Sequence, residues 1–463
     1  MLQMTEQTEH HEPLTTISRM YYRNKFFHIG HLKTLYDNDR LARNRNGVCY
    51  AIIDDRQDSS RIASIQEDFD YLQLKHIKTV SVKSEQQRIL QYTLSLIRDG
   101  HVYLYHCEEK ITNIDKIIKA VTQPKMHFQL RINCGMDIND PAIGYTNEEN
   151  GNFTMVMIFD YIIKVLDILL GVTDIVTTSH TDINGVKDIH ISSFFDKLTK
   201  IRQSRLSTYH IHNFRYSKRG WEVDENNPYL LTIKGLKARS VPVSVLKAFY
   251  LHGCQMGSIK IQFIATLLNK YMFKNSEKAL GVLKPLKIHI DNWRSKQTEY
   301  VCGPKSLHFS KETKHYPLSD VIYIDTSDYG IEPGKINKGR TVQLSYGPCI
   351  TCTDINLVNP QQPVLTANID FQATSPRVDI KKIHWISSVW DDAPCQARFY
   401  LYNWFYTGFN TLIEPEIVDG YIDNSVFSNL DQIYQLEQLG YFVYDRTLSE
   451  KHNMPIFLRI CKI

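Results

Sequence analysis

The distribution of apolar residues changes once along the chain, near Leu283, and this change constrains the fold more than any other feature. Before it, short apolar runs such as 48–53 alternate with stretches such as 60–74 and 84–98, in which apolar residues recur at helical spacing. After it, short runs of β-branched and aromatic residues are separated by turns. Alternating strands and helices predict βαβ units with a parallel sheet, whereas successive short strands predict an all-β sandwich or barrel.

The same patterns predict the organisation of the chain into four parts. Residues 102–105 should add a strand to the parallel sheet, a helix is expected near 157–170, and residues 241–275 are predicted to be helical. The expected parts are a flexible polar leader at 1–15, an α/β core at 16–220 with an irregular insertion at 107–155, a helical connector at 221–281 and an all-β region at 282–463.

Composition excludes several classes of protein. The 463 residues include 54 Lys and Arg against 50 Asp and Glu, and 43% are hydrophobic, which excludes disordered and fibrous chains. The polar N-terminus is not a secretory signal, and charges interrupt the apolar stretch 153–176, which favours a buried amphipathic helix over a membrane span. Cys349 and Cys352 form a CxxC without a second pair, so no metal site is predicted. We expect a cytoplasmic protein that does not enter a membrane.

The net charge of +4 hides a basic segment at 197–239, in which Lys and Arg are interleaved with aromatic and His residues. Such a segment can follow a phosphate backbone while its aromatic rings contact bases. A solvated basic surface explains the same pattern equally well, so the segment alone does not decide between the two.

The sharpest motif is His28-Ile29-Gly30-His31, which lies between a predicted strand and a predicted helix. Glycine allows a flat adenine to approach the backbone, and the two His can donate hydrogen bonds to phosphate. The N-terminus of the following helix adds a partial positive charge. Two surface or capping His at the start of a helix are the alternative explanation.

A second motif, Tyr216-Ser217-Lys218-Arg219-Gly220, lies in the basic segment. A mobile loop with Ser and Lys can close over a triphosphate and neutralise charge that develops at the α-phosphate. By itself the motif is more typical of a solvated basic turn. Together, the two motifs are complementary halves of one nucleotide site.

With these motifs the sequence resembles the class I aminoacyl-tRNA synthetases of the glutaminyl/glutamyl group, and most of all the glutaminyl-tRNA synthetases. Residues 28–31 match the HIGH signature, and 216–219 are similar to the MSKR form of the KMSKS loop. Further resembling segments are GVCYAIIDDRQD (47–58), MIFDYIIKVLDILLGVTDI (157–175), NNPYLLTIKGLKARSV (226–241), VLKPLKIHIDNW (282–293), VIYIDTSDY (321–329), KIHWISS (382–388) and LEQLGYFVYD (436–445). The first of these is similar to the family's NLRFDDTNP, and the late ones to its anticodon-binding β-barrel region.

The resemblance implies a Rossmann-like catalytic core with an insertion, a helical connector and a β-barrel anticodon-binding region. It also implies the roles of individual residues. The implied ATP-binding residues are His28, Ile29, Gly30, His31, Lys33, Thr34, Thr178, Arg205, Leu206, Ser217 and Lys218. His28, His31 and Lys218 are the expected catalytic residues. Asp54 would receive the ammonium group of the amino acid, and Phe159 stands where the family has a Tyr that helps recognise the substrate amide.

The implied function is ATP-dependent attachment of glutamine to its tRNA through an aminoacyl-adenylate, with Mg²⁺, by a monomeric ligase of protein biosynthesis. Such a reaction requires positioning and electrostatic stabilisation rather than a protein nucleophile. Two alternatives stay open. The altered turn at 20–25, Phe159 and an insertion shorter than the family's favour a catalytically decayed, synthetase-like tRNA-binding protein, and a glutamyl-tRNA synthetase would share the fold and most motifs.

Overall fold

A computed structural model gives the fold of the chain in two compact units. The first unit comprises Met1–Ile211 and Leu246–Ile259, and the second comprises His212–Val245 and Lys260–Ile463. The structure describes residues 17–22, 27–106, 109–112, 128–135, 140–149, 152–178, 186–199, 202–206, 210–212, 224–253, 258–260, 262–294, 298–306, 308, 312–357, 363–372, 380–389, 394–403 and 414–463.

The first unit contains a five-stranded parallel sheet, a five-stranded antiparallel sheet and most of a two-stranded sheet. The strands up to residue 260 are β1 Ile17–Tyr22, β2 Val48–Ile53, β3 Ile77–Ser81, β4 Val102–His106, β5 Glu109–Ile111, β6 Gln129–Ile132, β7 Ala142–Glu149, β8 Asn152–Met157, β9 Asp174–Thr178, β10 Arg202–Leu206, β11 His210–His212 and β12 Ser258–Lys260. The helices of the first unit include α1 Leu32–Asn44, α2 Ser60–Leu72, α3 Val82–Arg98, Phe159–Leu169 and Val186–Leu198, with a 3-10 turn at Ile29–His31 and a π-helical turn at Phe249–Gly253.

The parallel sheet confirms the predicted βαβ pattern. Its five strands run in the order β10-β9-β1-β2-β3, and their registered pairs are parallel. The chain leaves β1 toward β2 and β3 and later returns to the other side of β1 through β9. Strand order therefore reverses between β1 and β9, which is where open α/β sheets bind ligands at the carboxyl ends of their strands.

The strand predicted at 102–105 exists as β4, but its expected place in the parallel sheet is wrong. It belongs to an antiparallel sheet in the order β5-β4-β6-β7-β8. A strand that follows a helix looks the same in sequence whichever sheet it joins, because hydrogen-bond partners are set by distant residues. The helix Phe159–Leu169 confirms the one predicted near 157–170, and its buried side chains share one core with α3 and this sheet.

The second unit contains mostly short strands, as the sequence predicts for the region after Leu283. Its helices are Ile233–Ala238, Gln262–Asn275 and Arg446–His452, with 3-10 turns at Thr326–Asp328 and Asn424–Ser428, and the helix Val243–Ala248 lies at the border of the two units. Its strands are β13 Glu277–Ala279, β14 Gly281–Val282, β15 Pro285–Ile290, β16 Glu299–Pro304, β17 Thr313–Leu318, β18 Val321–Asp325, β19 Thr341–Leu344, β20 Cys349–Asn356, β21 Val364–Asp370, β22 Lys382–Ile383, β23 Trp385–Ser387, β24 Cys395–Leu401, β25 Glu416–Ile422, β26 Tyr434–Leu436, β27 Gly440–Tyr444 and β28 Ile456–Cys461.

Two seven-stranded sheets of this unit are nearly closed barrels. One runs β13-β26-β27-β28-β24-β25-β14 and the other β22-β19-β20-β21-β15-β18-β23. A single residue, Leu280, separates the edge strands of the first sheet, and His384 separates those of the second. Because the two edges of each sheet are almost consecutive in the chain, each sheet must curl until its edges meet. Separate apolar clusters fill the two barrels, and the predicted all-β barrel region is confirmed.

Two smaller expectations can be compared directly with the structure. The helical prediction for 241–275 is interrupted, since the helices Val243–Ala248 and Gln262–Asn275 are separated by β12. Cys349 and Cys352 are buried residues of β20, as ordinary strand residues would be. In the part of the chain that the structure describes, none of the helices combines the length and the apolar character needed to cross a membrane.

Candidate active site

Four segments that the sequence singled out meet at the carboxyl edge of the parallel sheet. The turn at 28–31 follows β1 and Asp54 follows β2 directly. Thr178 and the pair Arg205-Leu206 form the ends of β9 and β10, where Leu206 is registered with Thr178. Parallel strands bring their carboxyl ends to one edge, so residues distant in sequence lie beside the switch between β1 and β9.

The first motif forms a 3-10 turn that leads into α1. His28 is extended, and its Nδ1 accepts a hydrogen bond from the backbone N–H of Gly30 at 3.0 Å. His31 Nδ1 accepts in turn from the backbone N–H of His28 at 3.2 Å. The two imidazole rings pack against each other, with centroids 3.8 Å apart and planes inclined by 33°. The two His therefore cap the turn, as the alternative explanation of the motif predicts, and form a stacked pair.

Gly30 is needed here for space rather than for its backbone angles. A Cβ on Gly30 would lie 2.7 Å from His28 Cε1 and 2.8 Å from His28 Nδ1. Contacts of this length are repulsive, so a side chain at position 30 would displace the His28 ring. The sequence predicts that Gly30 lets an adenine approach the backbone, and in the structure the group that approaches is the His28 imidazole.

The His pair is neutral at physiological pH. Burial lowers the pKa of His28 to about 3 and, with the nearby His28 charge as a second cause, holds the pKa of His31 well below its usual value. Because each Nδ1 accepts a backbone hydrogen bond, each neutral ring carries its proton on Nε2. Nε2–H is therefore the donor of each ring.

Other residues of the first motif and of α1 have structural contacts. Ile29 is fully buried, so its side chain belongs to the core. Lys33 is only 5% exposed, and its Nζ lies 3.4 Å from Asp37 Oδ2. Asp37 also accepts a hydrogen bond from the Tyr250 hydroxyl at 2.7 Å. Thr34 is partly buried in the first turn of α1. Because Asp37 also accepts from Arg40 Nη2 at 3.0 Å, Lys33 shares its carboxylate with a second cation and its charge is only partly compensated.

Asp54, the predicted ammonium-binding carboxylate, is engaged by Arg56. Arg56 Nε donates to Asp54 Oδ1 and Arg56 Nη2 to Asp54 Oδ2, both at 2.7 Å, and Arg56 Nη1 donates to the carbonyl of Met157 at 2.7 Å. Partial burial alone would raise the pKa of Asp54, but the hydrogen bonds and the charge of Arg56 outweigh it and hold the pKa below its ordinary value. The carboxylate is therefore ionised and already has a cationic partner.

Phe159 begins the helix that follows β8 and lies mostly inside the protein. Its side chain is 8% exposed and belongs to the same apolar cluster as Tyr161 and Ile163. The Tyr161 hydroxyl lies 3.0 Å from Thr93 Oγ1 in the interior. The start of this helix thus presents apolar side chains where the resembling family has polar ones.

Of the remaining predicted residues, the structure describes three by their backbone and does not describe the other two. Thr178, Arg205 and Leu206 are described by their backbone positions at the sheet edge. Ser217 and Lys218 lie outside the described residues. Among the described residues, no group of three or more His, Cys, Asp or Glu side chains is arranged to hold a metal ion.

Arg56 and Tyr250 are the site residues that sequence reasoning missed. A signal for Arg56 exists, since DDRQD replaces DDTNP in the resembling turn, and a cation two residues after a carboxylate can fold back onto it. No comparable signal marks Tyr250, because its contact with Asp37 spans 213 positions.

Comparisons with family models match the two ends of this architecture. Residues 24–140 match the catalytic domain of the class I tRNA synthetases (E and Q), and residues 276–372 match the anticodon-binding domain of the same group. The first match contains the turn at 28–31 and Asp54, and the second covers strands of both barrels.

Individual relatives have low sequence identity to this chain but match most of its length. A glutamine–tRNA ligase of Lupinus luteus is 23% identical over 91% of this chain, which spans 62% of the relative's length. A glutamine–tRNA ligase of Hamiltonella defensa is 22% identical, with 94% of this chain and 92% of the relative covered. A solved glutamate tRNA ligase of Elizabethkingia meningosepticum aligns with 46% of this chain and 52% of its own, at 11% identity and a TM-score of 0.31.

Proposed function

The chain belongs to the class I tRNA synthetases of the E and Q group, and on that premise we propose that it attaches glutamine to its cognate tRNA. In the proposed reaction the glutamine carboxylate attacks the α-phosphate of ATP, which forms the aminoacyl-adenylate and releases pyrophosphate. A terminal ribose hydroxyl of tRNA then attacks the acyl carbon, and AMP leaves.

The stacked His pair is the observation that carries this proposal. Its two Nε2–H donors lie at the start of α1, at the carboxyl edge of the parallel sheet. Neutral donors fixed by backbone hydrogen bonds can stabilise charge on phosphate oxygens without reorganising during the reaction. His28 and His31 are accordingly the proposed catalytic donors, and Gly30 leaves the space that their arrangement needs.

The other proposed ATP contacts surround this pair. Thr34 lies one turn into α1, while Thr178 and Arg205-Leu206 end two neighbouring strands. Lys33 would support the site through its ion pair with Asp37. Ser217 and Lys218 complete the proposal as a loop that closes over the triphosphate, with Lys218 neutralising charge at the reacting phosphate.

The amino acid is proposed to bind between β2 and the helix Phe159–Leu169. The Asp54 carboxylate would bind the ammonium group, and Phe159 would line the adjacent apolar wall. A wall without hydroxyls recognises a side-chain amide less strictly than a polar one does. Selectivity for glutamine over glutamate is therefore the part of the proposal that most needs measurement.

A basic and aromatic sheet face supports tRNA as the partner. The antiparallel sheet buries Leu104 and Leu130 on one side. On the other side Tyr103 is also buried, with Lys110 Nζ 4.3 Å from its ring centre, while the half-buried Tyr105 has the Arg131 guanidinium 4.0 Å from its ring centre. Cations beside an accessible aromatic ring on a sheet can bind single-stranded RNA through phosphate contacts and base stacking. We propose that the tRNA end follows this face and that the barrels bind the anticodon.

Mg²⁺ is proposed as part of the ATP substrate complex, where it would offset phosphate charge. We further propose that the protein acts in the cytoplasm as a monomer.

The test is a tRNA-charging assay with purified protein, total tRNA, saturating ATP and each amino acid in turn. Charging with glutamine is expected, and His31→Ala should lower kcat by about 100-fold, the usual cost of a transition-state donor. His101→Ala removes an exposed imidazole of the same unit and is the matched control. Charging with glutamate would replace the proposal by a glutamyl enzyme. Tight tRNA binding without charging by any amino acid would replace it by a tRNA-binding protein.

A further inference from the structure

The ion pair between Asp54 and Arg56 occupies the place where the substrate ammonium group is expected. The guanidinium fork bonds both carboxylate oxygens of Asp54 at 2.7 Å, and its third nitrogen is anchored on the Met157 carbonyl at 2.7 Å. The two side chains are 28% and 25% exposed, so the pair is accessible from solvent.

This pair changes what the site offers to an amino acid. A lone carboxylate attracts an ammonium group by its full charge, whereas a carboxylate already in a bidentate pair with guanidinium is nearly neutral from outside. An incoming ammonium group must also approach a second cation. Each oxygen keeps a second acceptor site, but the ammonium group binds the full carboxylate charge only when the guanidinium withdraws from at least one oxygen of Asp54, and the loss of that bond is subtracted from the affinity for the substrate.

We propose that Arg56 sets the affinity for the amino acid by competing with the substrate ammonium group for Asp54. Substrate binding displaces the guanidinium from the carboxylate, while its bond to the Met157 carbonyl limits the displacement. The inference rests on the proposed function only in taking Asp54 as the ammonium site. It makes amino-acid affinity, rather than ATP affinity, the property that Arg56 controls.

The test is equilibrium dialysis of the full chain with radiolabelled glutamine, which does not depend on tRNA charging. Arg56→Gln keeps a neutral N–H donor on a shorter side chain and removes the charge and the fork. It should bind glutamine about tenfold more tightly than the unmodified protein, equivalent to about 1.4 kcal/mol. Arg56→Lys keeps the charge without the fork, and its affinity for glutamine should lie between those of the unmodified protein and Arg56→Gln. Asp54→Asn in the Arg56→Gln background should abolish the gain.

Arg61→Gln is the matched control. Arg61 is the second residue of α2, and its Nη1 donates to the backbone carbonyl of Asp54. Its charge also lowers the pKa of Asp54, so Arg61→Gln should raise glutamine affinity less than Arg56→Gln does, and the difference measures the effect of the guanidinium fork. Initial-rate charging assays add a second readout, in which Arg56→Gln lowers the KM for glutamine and leaves the KM for ATP unchanged.

The outcomes separate the inference from the proposed function. Unchanged or weaker glutamine binding by Arg56→Gln, in a protein with a normal thermal denaturation profile, overturns the competition. An equal gain in Arg61→Gln also overturns it, because the effect would then be one of general charge. If Arg56→Gln binds glutamine tightly but no form charges tRNA, the competition stands and the proposed function fails. If the unmodified protein charges tRNA with glutamine but Arg56→Gln leaves the KM for glutamine unchanged, the proposed function stands and the competition fails.

Discussion

Gly30→Ala is the substitution that tests the geometry of the His turn most directly. The added methyl carbon would lie 2.7 Å from His28 Cε1 and 2.8 Å from Nδ1. The backbone of Gly30 cannot retreat freely, because its N–H donates to that same Nδ1 at 3.0 Å. The ring must therefore swing away, which breaks the cap and the stack with His31 at 3.8 Å.

The size of the effect follows from the contacts that are lost. Loss of a side-chain cap costs about 1 kcal/mol of stability, so the free energy of unfolding of the first unit should fall by about 1–2 kcal/mol. A hydrogen bond to a charged acceptor contributes about 1.5–3 kcal/mol, so displacement of the His28 Nε2–H should lower kcat/KM for ATP by about 10- to 100-fold. KM for glutamine should change little.

The assay combines initial-rate tRNA charging at varied ATP with urea denaturation. Gly100→Ala is the matched control for stability. Gly100 has φ +75° and open space around its Cβ position, so alanine there is strained by its backbone alone. It should cost about 1 kcal/mol of stability and leave the ATP dependence of charging unchanged.

A double-mutant cycle decides whether the steric argument is right. In a His28→Ala background the ring that the new methyl group strikes is gone, so Gly30→Ala should then cost almost no stability. The geometry is refuted if Gly30→Ala costs the same in both backgrounds, or if the single variant keeps full kcat/KM for ATP.

Three further outcomes are expected. Tyr250→Phe removes the hydroxyl that donates to buried Asp37 at 2.7 Å, and urea denaturation should show a loss of about 1–3 kcal/mol, whereas unchanged stability would contradict the role of this bond. The pKa of His28 falls from 6.5 when unfolded to about 3 when folded, so the unfolded chain binds more protons between these values. The free energy of unfolding should accordingly decrease as pH drops below 6.5, by at most about 1.4 kcal/mol per pH unit for this group, and a His28→Asn variant should lose that slope. Arg131→Ala should weaken tRNA binding and lower by about one the magnitude of the slope of log affinity against log salt concentration. Filter binding at several salt concentrations measures this slope, and Arg98→Ala, an exposed residue of α3, is the control.

Local structure in this protein was largely predictable because its elements carry their own signals. The periodicity of 60–74 gives α2 and the apolar run 48–53 gives β2, since these patterns depend on neighbouring residues. The prediction that β4 joins the parallel sheet was wrong because the sheet that a strand joins depends on residues distant in sequence. Its partners β5 and β6 lie later in the chain, and a preceding helix does not specify which sheet a strand will join.

The same distinction applies to the candidate site. The position of Asp54 at the sheet edge follows from its place directly after a strand, and the motif at 28–31 was recognisable from four letters. The stacking of His28 on His31 was not, because it depends on a short 3-10 turn and on the absence of a Cβ at Gly30. Only coordinates could reveal that both rings accept backbone hydrogen bonds and hence present Nε2–H.

Charge shows how far residue identities determine a site. Lys33 and Asp54 both match charged positions of the resembling family, yet the first lies 3.4 Å from Asp37 and the second is bonded by Arg56. Lys33 is buried beside a carboxylate that it shares with Arg40, and Asp54 is paired with Arg56, so neither Lys33 nor Asp54 presents its full charge to a substrate. In the proposed site, ATP would therefore be oriented by N–H donors of the His turn and of the start of α1, and the cationic charge would come from residues such as the proposed Lys218. It follows that ATP affinity should depend more on Lys218 than on Lys33, whereas amino-acid affinity should depend on how readily Arg56 releases Asp54.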